Sequence, residues 1–139
     1  MTAVNFDSLS VGDQIPGLVK PPITRTTLAL FAGASGDHNP IHIDIDFAKA
    51  AGMEDVFAHG MLSMAYLAQT LTGWVPQSAL RSFNIRFSSI THLQDRITCN
   101  GEVAEKFEEA GEKRLRVTLT AVNQDGDVKL AGEAIVALA

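Results

Sequence analysis

Gly60-Met61-Leu62-Ser63-Met64-Ala65-Tyr66-Leu67-Ala68-Gln69-Thr70-Leu71-Thr72-Gly73 is the stretch that decides how this chain folds. The run from His59 to Trp74 reads as the longest helix, opening at Gly60 and stopping at Gly73. It is apolar nearly all the way round, and such a helix has to be buried on most of its sides. Its apolar part, Met61 to Leu71, is too short to span a bilayer and carries Ser63, Gln69 and Thr70.

Cover for the helix comes from the residues downstream of it. Phe83, Ile85 and Phe87 alternate with Asn84 and Arg86, and Leu115, Val117, Leu119 and Ala121 alternate with Arg114, Arg116, Thr118 and Thr120. Ile97, Cys99 and Val103 share a face, and Val128 to Leu138 makes a last strand. A period of two with one polar face indicates antiparallel strands. Asn123-Gln124-Asp125-Gly126-Asp127 is a hairpin signal, whereas the charged gap Glu105 to Glu112 reads as a solvated loop. One apolar helix and a run of antiparallel strands after it predict an α+β hot-dog fold, with the sheet curled around the helix. Its outer edges are expected to pair with a second copy, because exposed edges invite association.

Upstream of the helix the pattern is shorter and more broken. A segment from Val11 to Val19, with Gly12-Asp13 as its turn, runs into Pro21-Pro22. Thr24 is placed to cap a helix over Arg25 to Ala32 that Gly33 and Gly36 end, with Leu28, Phe31 and Ala32 on one face. Asp46 is the expected cap of another short helix, Phe47 to Ala51, closed by Gly52. No internal repeat or low-complexity tract interrupts residues 1–139, which read as one domain.

Composition narrows the function classes. The 139 residues are 46% hydrophobic and 19% charged, an ordinary globular balance that argues against disorder. Eleven Lys and Arg against sixteen Asp and Glu give a net charge of -5, unsuited to nucleic acid or anionic membrane. Cys99 is the sole cysteine, so neither an intrachain disulfide nor a zinc ribbon can form. Met1 to Ser10 lacks the basic start and apolar run of a signal peptide, and a cytoplasmic protein is the expectation.

Chemistry concentrates between Gly33 and Ala58, a long irregular excursion of the kind that compact domains keep for function. It holds Gly36-Asp37-His38-Asn39-Pro40-Ile41-His42-Ile43-Asp44, and the long helix opens with Ala58-His59-Gly60-Met61-Leu62. A carboxylate and an imidazole on either side of one water can move its protons, each contributing roughly 10²–10⁴ in rate. A free N–H at a helix N-terminus suits a developing oxyanion. Pro40 and Asn39 read as residues that shape the loop.

The run G-D-H-N-P-I-H, with A-H-G-M-L after it, resembles the MaoC-like dehydratase family, which includes the (R)-specific enoyl-CoA hydratases. That resemblance covers nearly the whole chain, and no motif position departs from the pattern. It implies reversible hydration of a 2-enoyl thioester to an (R)-3-hydroxyacyl thioester, with Asp37 and His42 as the catalytic pair and Gly60 offering its N–H to the thioester carbonyl. Asn39, Ser63, Arg81 and Arg86 are the expected substrate-binding residues, with Arg96 as a further candidate for the carrier's phosphates. The carrier would be coenzyme A or the pantetheine arm of an acyl-carrier protein, part of the substrate, so no separate cofactor is expected. The expected partner is a second hot-dog subunit, identical or related.

Other readings of the same residues remain open. Hot-dog folds also host acyl-CoA thioesterases, and a non-catalytic acyl-binding subunit of a heteromeric dehydratase would keep the fold without the chemistry. A metal site from His38, His42, Asp44, Asp46 and His59 is chemically conceivable. No H-E-x-x-H or comparable spacing is present, however, and no metal is expected. His38 should be exposed, and His59 should hydrogen-bond to hold loop and helix start together. His92 needs no special role, and Ser63 either approaches the site or bonds back to its own helix. Met61, Met64, Tyr66 and Trp74 are expected in the core or an interface.

Overall fold

A computed structural model describes residues 3–139. Five antiparallel strands form one sheet in the order β1-β3-β4-β5-β2. They are β1 (Leu18–Val19), β2 (Leu80–Phe87), β3 (Thr98–Glu109), β4 (Glu112–Val122) and β5 (Val128–Leu138). The helices are α1 (Arg25–Ser35), α2 (Ile45–Ala50) and α3 (Gly60–Thr72), and α3 packs against β1, β3, β4 and β5. The expected hot-dog arrangement is the one observed.

One flank of α3 makes the core. Leu62, Leu67 and Leu71 are buried among Cys99, Val117 and Leu119 of the sheet. Tyr66 and Trp74 join the same core. The opposite flank differs from expectation: Met61 is 53% exposed, Ala65 is exposed, and Met64 and Ala68 are only half-buried. In one chain, then, the all-round apolar character of α3 is only half used, because the sheet has too few strands to close around it.

Several boundaries move for local reasons. Thr24 does cap α1, through a reciprocal pair with Thr27, but Gly33 lies inside the helix and only Gly36, at φ 76°, ends it. A mid-helix glycine costs only about 1 kcal/mol, too little to terminate packed structure. The cap of α2 is Asp44, not Asp46: its Oδ1 accepts from the N–H groups of Asp46 and Phe47, so the helix starts two residues early.

Glu105 to Glu112 is not a loop. The β3–β4 ladder continues to the Glu109–Glu112 pair and reverses over Ala110-Gly111, both at positive φ. Cross-strand charges hold this part together: Arg116 donates to Glu105 on β3 and to Glu133 on β5, and Arg114 pairs with Glu109. The segment from Gly12 to Lys20 lies along β3, its amides bonding Val103, Gly101 and Ile97 carbonyls, with β1 as its paired portion. Among the described residues, no helix is long and apolar enough to cross a membrane.

The two kinds of glycine can be told apart by substitution. A Cβ on Gly132 would sit 2.0 Å from the Asn84 carbonyl oxygen on β2, whereas a Cβ on Gly33 meets nothing within 4 Å. Gly132→Ala should therefore cost about 3 kcal/mol by forcing β2 away from β5. Gly33→Ala should be neutral or stabilise by up to about 1 kcal/mol. Thermal or urea unfolding of both variants checks the contrast, and equal effects would contradict it.

Candidate active site

Two loops and a helix start converge on one corner. After Gly36 the chain turns, with Asp37 Oδ1 accepting from the Asn39 amide at 3.2 Å and Asn39 Oδ1 accepting from the Ile41 amide at 3.1 Å. Pro40 begins the single 3-10 turn Pro40–His42 that comes next. This brings His42 back toward Asp37, with Nε2 of the histidine 4.0 Å from Oδ2 of the aspartate.

Surroundings fix the His42 tautomer. Its Nδ1 lies 2.8 Å from the Phe57 carbonyl oxygen, which can only accept, so the proton is on Nδ1 and Nε2 is left as a lone pair facing Asp37. The His42 side chain is 10% exposed, while the Asp37 side chain is 47% exposed. A water about 2.8 Å from both acceptors across that gap would subtend about 90°, near its own H–O–H angle. The pair is spaced to hold one water.

His59 joins the loop to the helix start, as its position in the sequence suggests. Its Nε2 donates to the Asp37 carbonyl oxygen at 3.1 Å, and its ring stacks on His42 with centroids 4.0 Å apart and planes at 26°. Phe31 meets the same ring edge-on at 4.9 Å. The remaining Nδ1 is buried without a partner, consistent with a neutral ring. Burial, and next the neighbouring His42, push the His59 pKa below its usual 6.5, only partly offset by the bond to Asp37.

Asp37, His42 and His59 have ligand atoms within 4.8 Å of one another. They do not make a good metal cage, because imidazole lone pairs lie in the ring plane. In stacked rings such lone pairs run side by side rather than converging, and one nitrogen of each ring already serves a carbonyl. Nor are His38, Asp44 and Asp46 part of this cluster.

Gly60 is the first residue of α3, preceded by His59, whose side chain makes no cap. The Leu62 amide bonds the His59 carbonyl oxygen at 3.1 Å, whereas the Gly60 amide, as the first of the helix, has no acceptor within it and suits an oxyanion. The Phe87 ring rests against Gly60 so closely that a Cβ there would meet it at 2.9 Å. Two hollows adjoin this turn. One, of about 320 Å³, is lined by Phe57, Gly60, Phe87, Thr91, Lys129 and Leu130. The other, of about 450 Å³, is an apolar groove between Phe31, Asp37, Met61, Met64 and Phe83.

The expected substrate-binding residues fare less evenly. Asn39 spends its carbonyl on the loop itself, as the shaping role requires. Ser63 is buried, and its Oγ lies 3.4 Å from the Thr91 hydroxyl, behind the cavity wall rather than beside Asp37 or His42. Arg81 is at the far end of β2, roughly 20 Å of strand from Phe87. It is held there by Glu112 at 2.8 Å and by the Ser78 carbonyl. Arg86 shares a patch with Asn84, Thr118 and Thr120, away from Gly60, because alternation turns it opposite to Phe87. Arg96 is exposed beside Gln124, which bonds its amide. Sequence reasoning did not find Thr91 or Lys129, since neither belongs to a motif.

Comparison with known proteins gives a consistent result. Residues 10–124 match the family model described as MaoC like domain. The chain is 30% identical to an (R)-specific enoyl-CoA hydratase of Rhodospirillum rubrum, over 94% of this chain and 89% of that protein. It is 31% identical to a 3-hydroxybutyryl-CoA dehydratase of Methylorubrum extorquens, over 94% and 82% respectively. Its fold superposes on the unliganded R-hydratase PhaJ1 from Pseudomonas aeruginosa with a TM-score of 0.82 and 30% identity, covering 96% of this chain and 84% of that one.

The neutral His59 makes stability depend on pH with a definite sign. Because its folded pKa lies below the unfolded value, the unfolded chain binds more protons under about pH 6.5. Stability from this residue is full above that pH and is lost as pH falls through it. The Tm should drop between about pH 7.5 and 5.5, and His59→Gln, which does not titrate, should flatten the drop. An identical slope in the variant would contradict the assignment.

Proposed function

The chain belongs to the MaoC-like domain family, and from that premise we propose that it adds water reversibly to a 2-enoyl thioester, giving the (R)-3-hydroxyacyl thioester. The observation that carries this reading is the 4.0 Å gap between Asp37 Oδ2 and His42 Nε2, with α3 starting at Gly60 without a side-chain cap. In this reading the Asp37 carboxylate orients one hydrogen of the water and His42 Nε2 takes the other as oxygen bonds to C3. The π electrons move toward the thioester, whose oxygen accepts from the Gly60 N–H, and the imidazolium beside Asp37 returns its proton to C2. One water is consumed, and both its parts add on one face.

The carrier, coenzyme A or a pantetheine arm, arrives with the substrate, and names of the relatives support coenzyme A. The apolar groove beside Asp37 suits an acyl chain. A second hot-dog subunit covers the exposed flank of α3 in this proposal, because Met61, Ala65 and the edge strand β2 make one open apolar face. Light scattering on the purified chain should give twice the mass of one chain. A monodisperse monomer would point instead to a related but different subunit as the partner.

Turnover of enoyl-CoAs with chiral analysis of the product tests the chemistry. Asp37→Asn and His42→Ala should each slow turnover by about 10²-fold or more without unfolding the protein. The double variant should lose far less than the product of the two, since both groups act on one water. His38→Ala, in the exposed part of the same motif, should stay near full activity. Release of free thiol without hydration, or full activity in either single variant, would overturn the proposal.

A further inference from the structure

Lys129 is a buried cation in a strand whose alternation should have turned it to solvent. It is 5% exposed, and so is Asp95, the carboxylate nearest to it. A β-bulge explains the burial. Ala121 pairs with Leu130 but Val122 pairs with Val128, so one step along β4 matches two along β5 and Lys129 is the extra residue. Bulges re-aim side chains and occur beside active sites. This one turns Lys129 into the wall of the cavity that Gly60 also lines.

Its ammonium is spent on the loop that joins β2 to β3. Nζ donates to the Ile90 carbonyl oxygen at 2.8 Å and lies 3.8 Å from Asp95 Oδ2. Asp95 in turn accepts from the His92 amide and from the Gln124 and Asn123 side chains. The next residue after Ile90 is Thr91, and Thr91 grips the start of α3 from both sides. Its carbonyl oxygen accepts from the Ala58 amide at 2.9 Å, and its hydroxyl lies 3.4 Å from Ser63 Oγ. Ala58 and Ser63 straddle Gly60 in sequence.

From this linkage we propose that Lys129 is a positioning residue for the Gly60 N–H: by fixing Ile90 it sets Thr91, and Thr91 sets the first turn of α3. The proposal rests on the enoyl-thioester hydration reading. In that reaction the Gly60 amide meets charge that develops only as the water adds, so misplacing it should lower kcat and leave KM nearly alone. A side chain that merely filled the wall would act on stability or on KM instead.

Lys129→Met keeps an unbranched stem in the wall and removes the donor to Ile90. Its kcat on an enoyl-CoA should fall about tenfold or more, with KM within about threefold. The variant leaves Asp95 buried without its cation, which destabilises by itself. Asp95→Asn/Lys129→Met removes that charge, so stability should recover while kcat stays low. If Lys129→Met fails to fold, the double variant carries the test. A kcat within twofold of wild type in the folded single variant, or restored in the double, would overturn the proposal. Nuclear magnetic resonance gives a reading that needs no turnover. The Gly60 amide resonance should shift and exchange faster in either variant, and an unmoved resonance would overturn the proposal. Wild-type protein without hydratase activity would refute the reaction while leaving the amide measurement to judge the linkage.

Discussion

Burial of one flank of α3 under the sheet is the constraint on which the remaining structure depends. Leu62, Leu67 and Leu71 are buried there. Each fully buried leucine contributes roughly 1.5–3 kcal/mol, so the three match a sizeable part of the roughly 5–15 kcal/mol net stability of a domain. With that flank fixed, the first turn of α3 must lie at the rim of the sheet. There His59, the residue before the helix, bonds the excursion from α1 through the Asp37 carbonyl oxygen. The same geometry leaves Met61 and Ala65 outside, which is why the chain presents an apolar face as well as a site.

In the excursion between α1 and α3, Ala48, Val56 and Ala58 reach the core, and polar contacts shape the stretch from Asp37 to Asp46. Asp37, Asn39 and Asp44 each accept from a backbone amide two residues onward, so the loop is shaped by its own side chains. His42 and His59 then tie it to the body through the Phe57 and Asp37 carbonyls. His59 must stay neutral in this arrangement, because a proton on its buried Nδ1 would find no acceptor. The stacked His59 ring thus gives His42 a firm backing while its Nε2 faces Asp37.

Charges near the sheet obey a different logic. Arg114 and Arg116 hold the β3–β4 extension through cross-strand partners, which is how a charged segment continues as strand rather than loop. Arg25 reaches Asp55 with two parallel hydrogen bonds, 3.0 and 2.5 Å, tying α1 to the approach of α3. The Arg25 guanidinium holds the Asp55 carboxyl below the usual carboxylate range. Arg25 is exposed and Asp55 only half-buried, so this pair guides the chain more than it stabilises it. Lys129 and Asp95 are the opposite case, a desolvated pair kept where it orders a loop beside Gly60.

Patterns short in sequence were legible without coordinates. The period of α3, the alternation of β2 and β4, the cap at Thr24 and the five-residue spacing of Asp37 and His42 all depend on neighbours a few residues apart. Such neighbours keep their relation wherever the element packs. Three things needed the tertiary structure. The stack of His59 on His42, seventeen positions away in sequence, exists only in the folded chain. Arg81 and Arg86 read in sequence as carrier-binding residues, and only the length and alternation of β2 show that Arg81 meets Glu112 at the end remote from Phe87 while Arg86 lies on the opposite face from Phe87. Lys129 was invisible because a single extra residue in a ladder reverses which side faces inward, and the register that creates the bulge belongs to two strands at once.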